Sequence, residues 1–150
     1  MTRKPIQLLE AVTQRLRSSS LRVTRKRERI LGALLSLDRP ASAAEVAERA
    51  GLPETDLVTV YRTLEAFQSI GIVQRVILEN GNQLFELTGP DEHFHHLICR
   101  QCHHTERLDV CYYSKLEAEA RDRGFREISH VMEVYGLCAH CREADLHRSN

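Results

Sequence analysis

Cys99-x2-Cys102 and Cys138-x2-Cys141 are two CxxC pairs separated by thirty-five residues. A fold that uses both must bring two tight turns, distant in sequence, to one point. Zinc takes four ligands in a tetrahedron, and thiolates three positions apart in a turn supply two adjacent corners of it. Two such turns, each at the end of a strand, make a site closed by four thiolates. With no open position, its role is structural and not catalytic. Two disulfides are one rival, disfavoured by a reducing compartment. A redox pair is the other, disfavoured because neither CxxC reads as opening a helix after a strand.

The remaining soft ligands are as unevenly placed as these four. All eight histidines and all five cysteines lie after residue 92. Charge divides in the same sense. Residues 1–85 carry 13 Lys/Arg against 9 Asp/Glu, and residues 86–150 carry 8 against 12, so a net charge of zero conceals a basic half and an acidic half. Seven basic residues crowd into 15–29 (Arg15, Arg17, Arg22, Arg25, Lys26, Arg27, Arg29) against the single acid Glu28. Such a run is either a solvated helix face or a phosphate-binding patch, and the fold decides between them. The apolar runs are too short to span a bilayer, and MTRKPIQLLEAVTQRLR lacks the apolar core of a signal peptide. A cytoplasmic protein with no membrane partner is expected.

The first half reads as helices in quick succession. Ile6, Leu9, Val12 and Leu16 recur at helical spacing over about 5–17. Thr24 caps a second helix with Ile30, Leu31, Leu34 and Leu35 on its apolar face, ending near Asp38-Arg39-Pro40. Ser42 opens a short helix to Ala50, closed by Gly51, and Asp56 caps LVTVYRTLEAFQSI, whose Val60, Leu64 and Phe67 face inward. GIVQRVIL and QLFEL then flank Asn80-Gly81, the strongest short-range hairpin signal. Three helices followed by a hairpin is the order of a winged helix, with 43–50 and 56–70 as its helix-turn-helix. The second helix of that pair enters the major groove, and Thr59, Tyr61 and Arg62 lie on the side its apolar stripe leaves free. Tyr61 has partial core burial as its alternative.

After Thr88-Gly89-Pro90 the composition changes. HLICRQ and TERLDV read as short strands, SKLEAEARDRG as a helix ended by Gly124, and FREISHVMEVYG as a longer half-buried strand. The boundaries are residues 1–88 for the first domain and 89–150 for a small α/β module that needs a metal staple. The fold class is α+β.

The histidines divide. His93 and His95 share one face of a strand and His96 the other, so His93 and His95 can grip one ion with His130 from a neighbouring strand as a third ligand; the alternative is solvated or core histidines. His96 can meet Glu86 across the hinge in a poorer site. His103 and His104 lie in the first CxxC turn, exposed to solvent. His140 and His147 are bystanders. Cys111, left over from the two pairs, reads as a small buried hydrophobe.

LRVTRKRERIL, TVYRTLEAFQSIGIV, FELT, HFHHLICRQC and SHVMEVYGLCAHC follow one another at separations that resemble the ferric uptake regulator family of metal-dependent bacterial repressors, over essentially the whole chain. The resemblance implies a winged-helix DNA-binding domain, a dimerisation domain, and a homodimer that binds an AT-rich palindromic double-stranded operator when loaded with metal. It places Arg22 at the minor groove and Tyr61 and Arg62 at bases and phosphates; Arg27, from the basic run, is a further candidate DNA contact. It implies the structural zinc at Cys99, Cys102, Cys138 and Cys141, and a regulatory site at His93, His95 and His130. The glutamate expected to complete that regulatory site maps near Tyr113 or Ser114, with Glu117 one turn on. The chain departs from the family at the hinge. Pro40 stands where a histidine is expected and Phe94 replaces one of a histidine pair, leaving Glu86 and His96.

A site of three histidines suits zinc or iron(II) better than manganese. The expected function is thus a metal-responsive transcriptional repressor controlling metal-homeostasis genes, without enzymatic activity or small-molecule substrate, with structural zinc and a regulatory iron(II) or zinc. The alternatives are a DNA-binding protein that uses zinc only as a staple, and a peroxide-sensing member of the same family. A hydrolytic zinc enzyme is disfavoured by the absence of an HExxH-like general base.

Overall fold

The computed structural model describes residues 5–108 and 110–148. The chain divides into two units, Met1–His93 and Phe94–Asn150, five residues beyond the division read from the sequence.

In the first unit α1 (Pro5–Ser18), α2 (Arg25–Leu37), α3 (Ala43–Arg49) and α4 (Leu57–Ser69) precede the antiparallel strands β1 (Val73–Ile77) and β2 (Gln83–Leu87). Local chemistry sets these bounds. Thr24 Oγ1 accepts the Arg27 amide at 3.3 Å and Ser42 Oγ the Glu45 amide at 3.1 Å, so each hydroxyl satisfies an orphan donor of its helix. Asp38 ends α2 in the left-handed region at φ 46°. Gly71, at φ 74°, turns the chain from α4 into β1 without the clash a Cβ would bring to that conformation. Asp56 does not cap α4. Glu54–Asp56 forms a 3-10 turn leading straight into the helix, so Asp56 lacks the extended backbone from which a capping side chain reaches back. Its carboxylate instead holds Lys26 Nζ at 2.9 Å.

The core of this unit gathers Val12, Ile30, Val46, Val60, Leu64, Phe67, Ile72 and Phe85, all essentially inaccessible. The inward stripe of α4 is as expected. That of α1 is only half so, because Ile6 and Leu9 are exposed and burial begins at Val12. At the hairpin tip Gly81 is at φ 86° and Asn80 Oδ1 accepts the Asn82 amide at 2.9 Å. Ala41 exchanges two backbone hydrogen bonds with Phe85, at 2.9 and 2.7 Å. The segment just before α3 thereby pairs with the hairpin, which fixes the wing to the helix-turn-helix that α3 and α4 form.

The second unit is a three-stranded sheet in the order β4-β3-β5, with β3 (His95–Cys99) central, β4 (Thr105–Leu108) antiparallel to it and β5 (Glu133–Gly136) parallel. α5 (Tyr113–Asp122) and α6 (Ala139–Arg148) complete it. The long strand expected from Phe125 to Gly136 is only its last four residues. Parallel pairing on β3 covers His96–Cys99 alone, and Glu127 at φ 52° breaks extended backbone upstream. α6 was not anticipated, and it places the second CxxC at the opening of a helix after a strand, contrary to expectation. Among the described residues no helix is long and apolar enough to cross a membrane.

Candidate metal centres

Two clusters of metal-ligating side chains are found among the described residues, and both lie after residue 92. In the first, the sulfurs of Cys99, Cys102, Cys138 and Cys141 all fall within 4.8 Å of one another. Backbone geometry makes the approach. β3 delivers Cys99, whose amide donates to His104 O at 2.9 Å while its carbonyl accepts from His103 N at 3.0 Å, closing a tight turn that carries Cys102. His103 turns that corner at φ 61°, a left-handed position that histidine tolerates better than most residues. β5 runs parallel to β3 and brings Cys138 alongside, its amide donating to Cys99 Sγ at 3.4 Å. The first turn of α6 then presents Cys141.

Thiolates about 2.3 Å from a zinc ion stand about 3.8 Å apart at the corners of a tetrahedron. Cys102 Sγ and Cys138 Sγ are 3.7 Å apart, so the donor set fits zinc. Although the second pair opens a helix, all four thiols are free and converge as a set, which separates this site from a redox pair. The Cys102 and Cys138 amides hold the Cys99 thiol down to about 5. Burial, followed by the neighbouring thiols, pushes Cys141 up to about 12. For Cys102 the lowering effect of the His104 amide is outweighed by the Cys99 thiol and burial, and the group is raised.

The second cluster is His93, His95, Cys111 and His130. His95 is buried on β3, and its Nε2 lies 3.1 Å from His130 Nε2. Cys111 Sγ is 3.2 Å from the former nitrogen and 3.6 Å from the latter. Cys111 is thus not a small buried hydrophobe. Its residue surface is exposed and its sulfur points at two imidazoles. The sequence held one signal for it, an odd cysteine left after two pairs. Tyr113 does not supply a ligand. Its ring stacks on His130 at 4.1 Å with planes 17° apart, and its hydroxyl donates to Ile128 O at 2.7 Å. Glu117 is engaged by Arg121 along α5 and does not belong to the cluster.

Glu86 and His96 are both buried, and neither belongs to a cluster of three or more metal-ligating groups among the described residues. Phe94 lies under the Arg107 guanidinium, 4.2 Å from its ring centroid, and so packs against β4. His104 is exposed and contacts Glu106 at 3.1 Å, and His140 is exposed. The His147 side chain lies outside the described residues.

The basic run of the first unit is differentiated. Arg29 Nε donates to Ala50 O at 2.8 Å and its Nη2 to Gly51 O, which ties it to the end of α3. Arg27 Nη1 donates to the carbonyl of Arg22, bracing the loop before α2. Arg22 is exposed. On α4 Arg62 is exposed, Thr59 half-buried, and Tyr61 exposed along one edge while its ring meets Phe85 edge-on at 6.0 Å.

A winged helix-turn-helix followed by a small domain with two metal-ligand clusters defines a class, that of DNA-binding regulators whose second domain carries metal. The sequence model of the Ferric uptake regulator family matches residues 18–135, and the chain belongs to that family. It is similar to the Ferric uptake regulation protein of Legionella pneumophila, 31% identical over 134 residues that cover 87% of this chain and 98% of that protein. It is also similar to the Zinc uptake regulation protein of Mycobacterium tuberculosis, 33% identical over 128 residues covering 83% and 98%. Among solved structures, the Vibrio cholerae ferric uptake regulator matches with a TM-score of 0.65 at 30% identity, covering 84% of this chain and 98% of that one. The protein is a metal-responsive transcriptional repressor, and its four-cysteine cluster fits a structural zinc. Members of this family are DNA-binding dimers and transcriptional regulators, not enzymes.

Proposed function

We propose that His93, His95 and His130 hold the regulatory ion, and that its binding sets the affinity of a homodimer for a palindromic operator. The observation that carries this is the 3.1 Å approach of the His95 and His130 Nε2 atoms, with a nitrogen of His93 inside the same 4.8 Å cluster. Imidazoles about 2.0–2.1 Å from a zinc ion stand about 3.4 Å apart in a tetrahedron, so the pair is near ligating separation. A metal that binds the DNA-competent state better than the other shifts the population toward it, and a coupling of about 1–3 kcal/mol changes operator affinity about 5–150-fold. The relatives named for iron and for zinc are similarly related to this chain, at 31% and 33% identity, so the histidines alone leave both ions in play.

On the DNA side, residues 1–88 dock α4 into the major groove, with Thr59, Tyr61 and Arg62 toward it and Arg22 and Arg27 on flanking backbone or minor groove. Residues 89–150 form the dimer. Leu97, Val134 and Leu137 are exposed on or beside the sheet of the second unit and line a cavity of about 150 Å³, an apolar surface suited to a second copy. The protein acts in the cytoplasm, where the cysteines stay reduced.

The double substitution His93→Ala, His95→Ala tests the reading. It should abolish metal-dependent operator binding while the dimer and the zinc of the four cysteines persist. Retained metal-dependent repression would reject the regulatory role.

A further inference from the structure

We infer that Cys111 is the fourth ligand of the regulatory site, and that its thiolate makes that site selective for zinc over iron(II) and manganese(II). This rests on the histidine reading above and goes beyond it, because three imidazoles by themselves do not choose between the ions.

Cys111 Sγ stands 3.2 Å from His95 Nε2 and 3.6 Å from His130 Nε2, and these two nitrogens are 3.1 Å apart. An imidazole nitrogen at about 2.0–2.1 Å and a thiolate at about 2.3 Å from one zinc ion stand about 3.6 Å apart. The three atoms thus occupy one face of a tetrahedron, and His93, inside the same cluster, supplies the fourth corner. Cys111 is exposed at its residue surface, yet its sulfur is turned inward onto this face. Tyr113, two residues on, stacks on the far partner His130, so the stretch that carries the sulfur also fixes the ring it meets.

The chemistry then decides the ion. A thiolate is a soft donor that favours zinc, whereas carboxylate and water oxygen favour manganese, and three imidazoles are compatible with zinc and iron alike. Adding sulfur to three nitrogens gives a neutral-plus-one-anion set that is compact, tetrahedral and closed. That suits an ion with no ligand-field preference and disfavours iron(II) and manganese(II), which seek more ligands and more oxygen. Glu117 is engaged by Arg121, the Tyr113 hydroxyl donates to Ile128 O, and no described carboxylate of α5 belongs to the cluster.

Cobalt(II) reads the donor set directly, because a cobalt–thiolate bond produces a near-ultraviolet charge-transfer band that histidine ligands do not. The full-length dimer, with zinc retained in its four-cysteine site and verified by metal analysis before and after, is titrated with cobalt(II), and separately with zinc, iron(II) and manganese(II). One charge-transfer chromophore per chain is expected in the parent. Cys111→Ser should lose that band and lose zinc affinity by at least about tenfold, since losing even a group that only orients a ligand costs about 10–100-fold. Cys111→Asp should also lack the band and narrow the preference for zinc over manganese(II). Cys111→Ala provides a second variant should the serine perturb folding. A parent without the band, a band undiminished in Cys111→Ser and Cys111→Ala, or unchanged zinc affinity in those variants would overturn the proposal. Any of these results leaves the histidine site standing, which the His93→Ala, His95→Ala variant tests separately.

Discussion

Tyr113 lies flat against His130, ring centroids 4.1 Å apart, and its hydroxyl anchors it to the carbonyl of Ile128 two residues before that histidine. The ring therefore fixes the imidazole plane while the hydroxyl fixes the chain that delivers it. Tyr113→Ala should weaken metal binding at the regulatory cluster by about 10–100-fold, the usual cost of losing a group that orients a ligand. Tyr113→Phe keeps the stack and should lose only about 1 kcal/mol of stability with the hydrogen bond. Isothermal titration of both variants separates the two roles, and equal metal affinity in Tyr113→Ala and the parent would deny the first.

The four-cysteine site carries its own proton signature. Cys99 at about 5 is already a thiolate at neutral pH, whereas Cys141 at about 12 and the raised Cys102 are protonated. Zinc binds thiolates, so loading at pH 7 should release protons, with Cys102 and Cys141 among their sources and Cys99 not. The sign is fixed: as pH falls, protons compete more strongly with the ion, and zinc retention should decline. Proton release followed with a pH indicator during zinc addition checks this. Removal of zinc with a chelator, or Cys99→Ser, should unfold the second unit, seen as loss of its thermal transition while α4 and its core remain.

Two arginines of the first unit should behave oppositely. Arg29 is bonded to the Ala50 and Gly51 carbonyls, so Arg29→Ala should cost about 1.5–3 kcal/mol of stability, as expected for hydrogen bonds made by a charged group. Arg62 is exposed on α4, so Arg62→Ala should leave stability within about 0.5 kcal/mol. It should weaken DNA binding, and reduce the salt slope by about 1 if the contact is to phosphate. Denaturant melts alongside salt-dependent DNA binding distinguish them.

Much of the first unit was legible because its signals are local. A hydroxyl at Thr24 or Ser42 meets an amide three residues away, and Asn80-Gly81 turns within its own hairpin. The CxxC pairs were legible because each is a turn, and only their meeting is tertiary. Cys111 was not, because its partners lie 16 and 19 residues away and nothing local marks where its sulfur points. The strand expected from Phe125 failed for a related reason. Its alternation is a local pattern, but strand requires a pairing partner, and β3 offers one to only four residues. α6 carries little local signal, because AHCREADLHR presents little apolar stripe.

The central claim is that occupancy of the histidine cluster governs DNA binding. The direct measurement is fluorescence anisotropy of a duplex selected from a random-sequence pool by the zinc-loaded protein. It is performed with and without added zinc or iron(II), while the zinc of the four cysteines is retained. Affinity should rise about 5–150-fold on metal addition in the parent. It should not rise in His95→Ala or His130→Ala. Equal affinity in the parent with and without added metal, or an undiminished response in those variants, would contradict the account.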